Sequence, residues 1–158
     1  MSNTTETYEI SNRIFFRLFQ LGNILQTKSA SKLGISTVQW SVLGALSTER
    51  SKDGFSFSAL ADYLKVSRQN LDGVLGRLER DGYVKRTTNA QDRRSRLVFL
   101  TDKGHEYWKV LQQDIDTFYK DATMDLSIDE KIALAYLFKK LRTNLIAIDG
   151  SEENTNSD

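Results

Sequence analysis

The sequence predicts a mainly α-helical fold that carries one small β-hairpin. Long stretches at both ends of the chain place apolar residues three and four positions apart, which is the periodicity of an amphipathic helix. Shorter stretches in the middle have the same periodicity and begin at serine caps. Two short runs around a polar turn, between residues 83 and 100, have the composition of paired strands. These three observations favour helices around a small β element over any sheet-based fold.

The first predicted helix spans residues 8–28. Its apolar stripe consists of Ile10, Ile14, Leu18, Leu21 and Leu25, widened by Phe15, Phe16 and Phe19. Residues 29–34, which include Ser29 and Gly34, interrupt the pattern, so we expect the helix to end before them. A helix this apolar must be buried against another surface.

Capping residues locate the next helices. Ser36 and Gln39 form a capping box, in which each side chain satisfies a backbone N–H at the start of a helix. After a polar loop at 49–54, residues 57–64 form a short helix with a tight turn behind it. Ser67 caps a further helix that runs to about residue 81, where Gly82 ends it. The inward positions of that helix are Leu71, Val74, Leu75 and Leu78.

The hairpin and two more helices complete the chain. Strands are predicted at 83–87 and 95–100, the second with Leu97 and Phe99 on one face. Thr101 caps a long helix over 102–122. Ser127 and Glu130 form a second capping box, from which the last helix runs to about residue 148. The acidic, polar tail at 149–158 is predicted to be disordered.

Composition excludes several classes of function. The chain has no cysteine, which excludes disulfides, thiolate metal sites and thiol redox switches. Its one histidine, His105, cannot supply the several ligands that a zinc site needs, and it is interpreted as a surface residue. No paired carboxylates, nucleophile–base pair or phosphate-binding glycine loop has convincing spacing, so neither an enzyme nor a cofactor is predicted. The polar N-terminus and the absence of a long apolar run predict a cytoplasmic protein.

Basic residues concentrate in the middle of the chain. Residues 65–96 carry nine basic and four acidic side chains, whereas the whole chain has a net charge of only +1. A basic segment in an otherwise slightly acidic protein is typical of nucleic-acid binding. On charge alone, a solvated face without a partner is an equally good interpretation.

A short helix, a tight turn and a capped helix, here 57–81, make the pattern of a helix-turn-helix. The outward side chains of its second helix are of the kinds that contact base edges in a major groove, namely Arg68, Gln69, Asn70 and Arg77. Gly73 leaves room for close approach to the phosphate backbone. Asp72 has two interpretations: it accepts a hydrogen bond from a cytosine amine, or it pairs with Arg68 or a nearby lysine.

The polar turn of the hairpin supplies a second basic element, which makes the pattern a winged helix-turn-helix. Arg93 and Arg94 lie at its tip, and an inserted arginine is attracted to a narrow minor groove. Asp92 is placed to orient one guanidinium by a bidentate pair. The alternative is a surface turn with an incidental ion pair.

The segments LERDGYVKR, DRRSRLVFLTDKG and TVQWSVLGAL (residues 37–46), together with the order of the helices, resemble the MarR family of bacterial transcriptional regulators over nearly the whole chain apart from its tails. LERDGYVKR matches the family's end of the recognition helix, DRRSRLVFLTDKG matches its wing and the start of the next helix, and TVQWSVLGAL matches its second helix. The resemblance implies a homodimer, joined by its first and last helices, that binds a near-palindromic operator and usually represses. It also implies that Ser67 caps the recognition helix, that Arg68, Gln69, Asn70 and Arg77 face DNA, and that Asp92 supports Arg94 in the minor groove. At Asp72 and Gly73 the sequence departs from the commoner family pattern, which leaves the operator sequence open.

The resulting organisation is a dimerisation helix at 8–35, a winged helix-turn-helix at 36–100, dimerisation helices at 101–148 and the tail. A second copy is the simplest way to cover the apolar stripes of the outer helices, and an intramolecular bundle is the alternative.

A small-molecule effector is a further implication of the resemblance. Many members release DNA when a phenol or aromatic carboxylate binds between the dimer helices and the winged domain. Arg17 or Arg13 is a candidate to pair with such a carboxylate. The candidate aromatic walls are Phe16, Trp40, Tyr107 and Trp108. The alternatives are that these arginines are surface charges, that the aromatics belong to the core, and that the protein binds DNA constitutively without an effector.

Overall fold

The structure, a computed structural model, describes residues 2–88 and 96–148. Its helices are α1 (Ser2–Leu33), α2 (Thr37–Leu46), α3 (Phe57–Leu64), α4 (Arg68–Arg80), α5 (Asp102–Ala122) and α6 (Ile128–Ile148). Its strands are β1 (Phe55–Ser56), β2 (Val84–Thr88) and β3 (Arg96–Leu100). The predicted mainly α fold with a small β element is confirmed. No helix in the described ranges is both long and apolar enough to cross a membrane.

Helix α1 begins at Ser2, before the predicted residue 8, and it continues past residue 28 because the expected break at Ser29 does not occur. The Ser29 side chain is fully buried, and its hydroxyl donates a hydrogen bond to the Ile35 carbonyl at 2.8 Å. This tertiary contact offsets the weak helix preference of serine. The helix ends instead at Gly34, whose φ of 68° is in the left-handed region.

The predicted caps are confirmed. At α2, the Gln39 backbone N–H donates to Ser36 Oγ and the Ser36 N–H donates to Gln39 Oε1, at 3.1 and 2.9 Å. At α6, Ser127 and Glu130 make the equivalent pair of bonds. Because these bonds depend on residues only three positions apart, local sequence is enough to predict where the helices begin.

The sheet has three antiparallel strands in the order β1-β3-β2, one more than the predicted hairpin. Strand β1 has two residues, which pair with Val98 and Leu97 of β3 and are too few to show an alternating pattern. Val98 and Leu100 are buried, whereas Leu97 and Phe99 lie on the other face. Gly54, at φ 86°, lies under the Phe99 ring, where a Cβ atom would come within 2.5 Å of it, so only glycine fits before β1.

The hydrophobic core joins α2, α3, α4, the sheet and the first part of α5. Its fully buried side chains include Val42, Leu43, Leu60, Leu71, Leu75 and Val98. Leu111 and Ile115 add the apolar face of α5 to the same cluster. This core fixes the position of α4 relative to the strands that follow it.

The chain divides into two compact units, Met1–Asp116 and the segment that begins at Thr117. Within the second unit, α6 has no buried residue. Its large apolar side chains are exposed, among them Ile132, Tyr136, Leu137 and Phe138. Most large apolar residues of α1 are likewise exposed, among them Phe16 and Phe19.

Candidate nucleic-acid interface

Helices α3 and α4 form a helix-turn-helix. Helix α3 ends at Lys65, whose backbone is left-handed at φ 55°, and the Val66 N–H returns to the Ala61 carbonyl at 3.2 Å. Ser67 then caps α4 by accepting a hydrogen bond from the Asn70 N–H at 3.1 Å. The turn between the helices is therefore three residues long and tightly defined.

Helix α4 separates cleanly into two faces. Leu71, Val74, Leu75 and Leu78 are buried in the core, as the sequence predicts. The side chains proposed from sequence for DNA contact, Arg68, Gln69, Asn70 and Arg77, are exposed, as are the capping Ser67 and the backbone at Gly73. The helix thus presents donors and acceptors of base-reading type to a partner outside the chain.

Two glycines lie within α4, away from its ends. A Cβ added at Gly73 or at Gly76 would meet no atom within 4 Å, so nothing inside this chain requires glycine there. Glycine within a helix costs roughly 0.5–1 kcal/mol relative to alanine. The close approach of a phosphate backbone at Gly73, expected from sequence, stays a prediction.

Arg68 is positioned by the preceding helix. Its Nη1 donates to Ser58 Oγ at 2.9 Å, and its guanidinium lies over the Phe57 ring at 5.2 Å. Nearby, Lys65 Nζ pairs with Asp62 Oδ1 at 2.6 Å. Arg68 and Lys65 line one open groove between α3 and α4, so two cations lie at the N-terminal end of the recognition helix.

Arg86 of β2 joins the wing to α4, and sequence reasoning missed it. Its Nε and Nη2 donate to Glu79 Oε2 at 3.0 and 2.8 Å, and its backbone N–H donates to Glu79 Oε1. Its Nη1 donates to Asp72 Oδ1 at 2.6 Å. Asp72 therefore pairs with Arg86, and the expected partners, Arg68 or a nearby lysine, are wrong. The period of two along a strand could have indicated that Arg86 faces inward, because it is two residues after buried Val84 and so shares its face.

The Arg86 pairing changes the acid–base properties of its partners. Hydrogen bonds from Arg86 hold the pKa of the Glu79 carboxyl below its ordinary value of 4.5. The hydrogen bonds that Arg86 donates to Glu79 and to Asp72 raise the pKa of its guanidinium above the ordinary value. The Arg86 side chain is only 17% exposed, so this ion pair is screened less than a surface pair.

The comparisons with known proteins agree with this geometry. A sequence model of the MarR family matches residues 33–95. The transcriptional activatory protein BadR of Rhodopseudomonas palustris is 43% identical over 145 residues, 89% of this chain and 83% of that protein. The homoprotocatechuate degradative operon repressor of Escherichia coli is 28% identical over 65% of this chain and 67% of that protein. A crystal structure of a MarR mutant from E. coli with operator DNA has a TM-score of 0.68, at 29% identity over 82% of this chain and 91% of that one.

The chain belongs to the MarR family. It is therefore a DNA-binding transcriptional regulator with a winged helix-turn-helix, as the sequence predicted.

For this MarR-family chain, the wing-tip residues proposed from sequence lie outside the described ranges. Asp92, Arg93 and Arg94 fall between β2 and β3, so their proposed minor-groove contact stays a prediction. Strand β2 of the wing ends at Thr88, and strand β3 begins at Arg96.

The residues proposed for an effector pocket fall into two groups. Arg13, Phe16 and Arg17 are exposed on α1, and neither arginine forms an ion pair with a described residue. Tyr107 stacks on Tyr83 with ring centroids 4.2 Å apart, and burial raises its pKa.

The indole of Trp108 covers Gly44 of α2, where an added Cβ would lie 3.2 Å from it. Trp40 is half-buried on the same helix. His105, interpreted from sequence as a surface residue, is exposed on α5. The three aromatics outside α1 thus pack against the core, as the alternative interpretation expected. A role for any of them toward an effector stays a prediction.

Proposed function

We propose that this regulator works as a homodimer on a pseudo-palindromic operator and is released from it by a small molecule, an aromatic carboxylate or a phenol. The exposed polar face of α4, backed by a buried apolar face, is the observation that carries operator binding. One such helix reads one half-site, and two half-sites lie about 34 Å apart along the duplex.

The apolar surface of the terminal helices supports the homodimer. Large apolar side chains on α1 are exposed in the single chain, including Ile10, Ile14, Phe15, Phe16, Phe19 and Leu25. Contiguous exposed apolar surface of this kind marks an interaction site. A symmetric second copy would cover it and would also supply the second recognition helix.

The proposed effector class has two supports. The E. coli relative is named for an operon that degrades homoprotocatechuate, which is an aromatic carboxylate. Arg13 and Arg17, which pair with no carboxylate among the described residues, lie beside the exposed Phe16, which suits a ligand with a carboxylate and a ring. The ligand would act by population shift, by favouring a dimer whose recognition helices have the wrong spacing for both half-sites.

Repression is the proposed direction of regulation, by resemblance to the family and to the E. coli repressor. Activation is the second candidate, because BadR, which is more similar, is named as an activatory protein. A reporter fused to the flanking promoter separates them: deleting the regulator raises expression if it represses and lowers it if it activates.

A gel shift on the DNA that flanks its own gene tests the proposal. We expect retardation that one member of a panel of benzoates, hydroxybenzoates and cinnamates abolishes. The Arg17→Ala and Arg13→Ala variants should still retard the DNA, and one of them should lose the response. Retardation that no compound disturbs would favour the constitutive alternative, and no retardation at all would contradict operator binding.

A further inference from the structure

Asp72 is an acidic side chain on the helix that must approach polyanionic DNA. It lies one helical turn after Arg68, and 66% of its side chain is exposed. A carboxylate near phosphates is repelled by them, so an unbalanced Asp72 would weaken binding to every sequence equally. Contacts that lower this repulsion and hold the side chain are therefore informative about its role.

Arg86 lowers the repulsion only in part, because its single charge is shared between Glu79 and Asp72, but it also orients Asp72. Glu79 occupies Nε and Nη2 of Arg86, so the attachment of the wing strand to α4 does not depend on Asp72. The remaining Nη1 reaches the Asp72 carboxylate two helical turns earlier on α4. Because Arg86 is mostly buried and fixed by Glu79, the short bond restricts Asp72 to one orientation.

This arrangement leaves one oxygen for a partner. Arg86 engages Oδ1, and no residue of the described ranges donates a hydrogen bond to Oδ2. An ionised carboxylate only accepts hydrogen bonds. In a major groove it therefore recognises a base amino group, that of cytosine in the commonest pairing, and it is repelled by the acceptor atoms of guanine and thymine.

We propose that Asp72 is a specificity-determining residue, oriented by Arg86, that accepts a hydrogen bond from a cytosine amino group in each operator half-site. Arg86 is a positioning residue in this arrangement, since it acts through Asp72. The inference rests on the proposed operator binding.

Selection from a randomised duplex library tests it. Wild type, Asp72→Ala and the nearly isosteric Asp72→Asn are used to enrich binding sites, and single-base variants of the wild-type site are then titrated. We expect Asp72→Ala to lose preference for cytosine at one position per half-site, on the order of tenfold, with the other positions unchanged. Asp72→Asn, which also donates, should move that preference toward adenine.

Two further variants serve as controls. Glu106→Ala also removes an exposed, ion-paired carboxylate, from α5, and should leave every base preference unchanged. Arg86→Gln should weaken the same cytosine preference as Asp72→Ala, which a purely structural role would not do. Thermal unfolding confirms that each variant is folded before binding is measured.

The outcomes are distinct. An identical enriched site for wild type and Asp72→Ala overturns the inference, as does an affinity change that is uniform across all single-base variants. If wild type enriches no site at all, operator binding itself fails, which is a different result from an unchanged site.

Discussion

Arg86 is a single residue whose contacts join the two parts of a winged domain that meet DNA. Its three donor nitrogens and its backbone N–H engage two carboxylates of α4. Removing Arg86 would leave both carboxylates close together without their cation, which costs more than the loss of an isolated surface pair. The spacing of recognition helix and wing therefore depends on a small ionic cluster as well as on the apolar core.

The ionisation of Glu79 predicts how this cluster responds to pH. Since the folded-state pKa of Glu79 is lowered below 4.5, its contribution to stability is present above pH 4.5 and is lost as pH falls through the lowered value. We expect Glu79→Gln, which keeps the shape but not the charge, to unfold at lower urea concentration than wild type at pH 7. The gap between the two proteins should begin to narrow below pH 4.5 and close as pH falls through the lowered pKa of Glu79. A gap that stays constant as pH falls would contradict the assignment.

At the scale of the element, capped helices were predictable from sequence and tertiary contacts were not. The cap at Ser36 needs only Gln39, three residues away, so its signal is local. The extension of α1 past residue 28 depends on the contact of buried Ser29 with Ile35, which follows Gly34. The pairing of Asp72 with Arg86 spans fourteen positions and two elements.

The residues of the candidate DNA interface likewise fall into those that local sequence predicts and those that depend on distant contacts. The exposed residues of α4 follow from helical periodicity, because the buried stripe fixes which positions face outward. Arg86 did not follow from helical periodicity. The period of two along β2 places it on the face of buried Val84, but only the placement of β2 against α4 identifies Glu79 and Asp72 as its partners.

The glycines of α4 give a prediction at this scale. Gly73→Ala should raise the midpoint of thermal unfolding, because alanine stabilises a helix interior by roughly 0.5–1 kcal/mol and the added methyl meets no atom of the chain. The same methyl should weaken operator binding about tenfold, since it holds the helix backbone away from the duplex. Measuring both quantities on one variant separates folding from binding. Raised stability with unchanged affinity would show that nothing approaches this face closely.

For the whole molecule, a core around α2–α4 and the sheet coexists with terminal helices that keep large apolar residues in solvent. The buried cluster is complete without the apolar side chains of α6. Burying a large apolar side chain contributes about 1.5–3 kcal/mol, so surfaces of this size favour association strongly. In a symmetric dimer each such side chain is buried in both copies, so its contribution to the free energy of association is made twice.

Charge placed on these surfaces should therefore dissociate the dimer. We expect wild type to sediment as a dimer at micromolar concentration. Phe19→Glu on α1 and Leu137→Glu on α6 should weaken association by at least about a hundredfold, because each puts two buried carboxylates into one interface. Operator binding should fall with it, since a single recognition helix reads only one half-site.

Tyr63→Glu, at an exposed aromatic of α3, is the matched control and should remain dimeric. Sedimentation equilibrium decides the question: if both terminal-helix variants stay dimeric while circular dichroism shows them folded, the interface lies elsewhere on the chain.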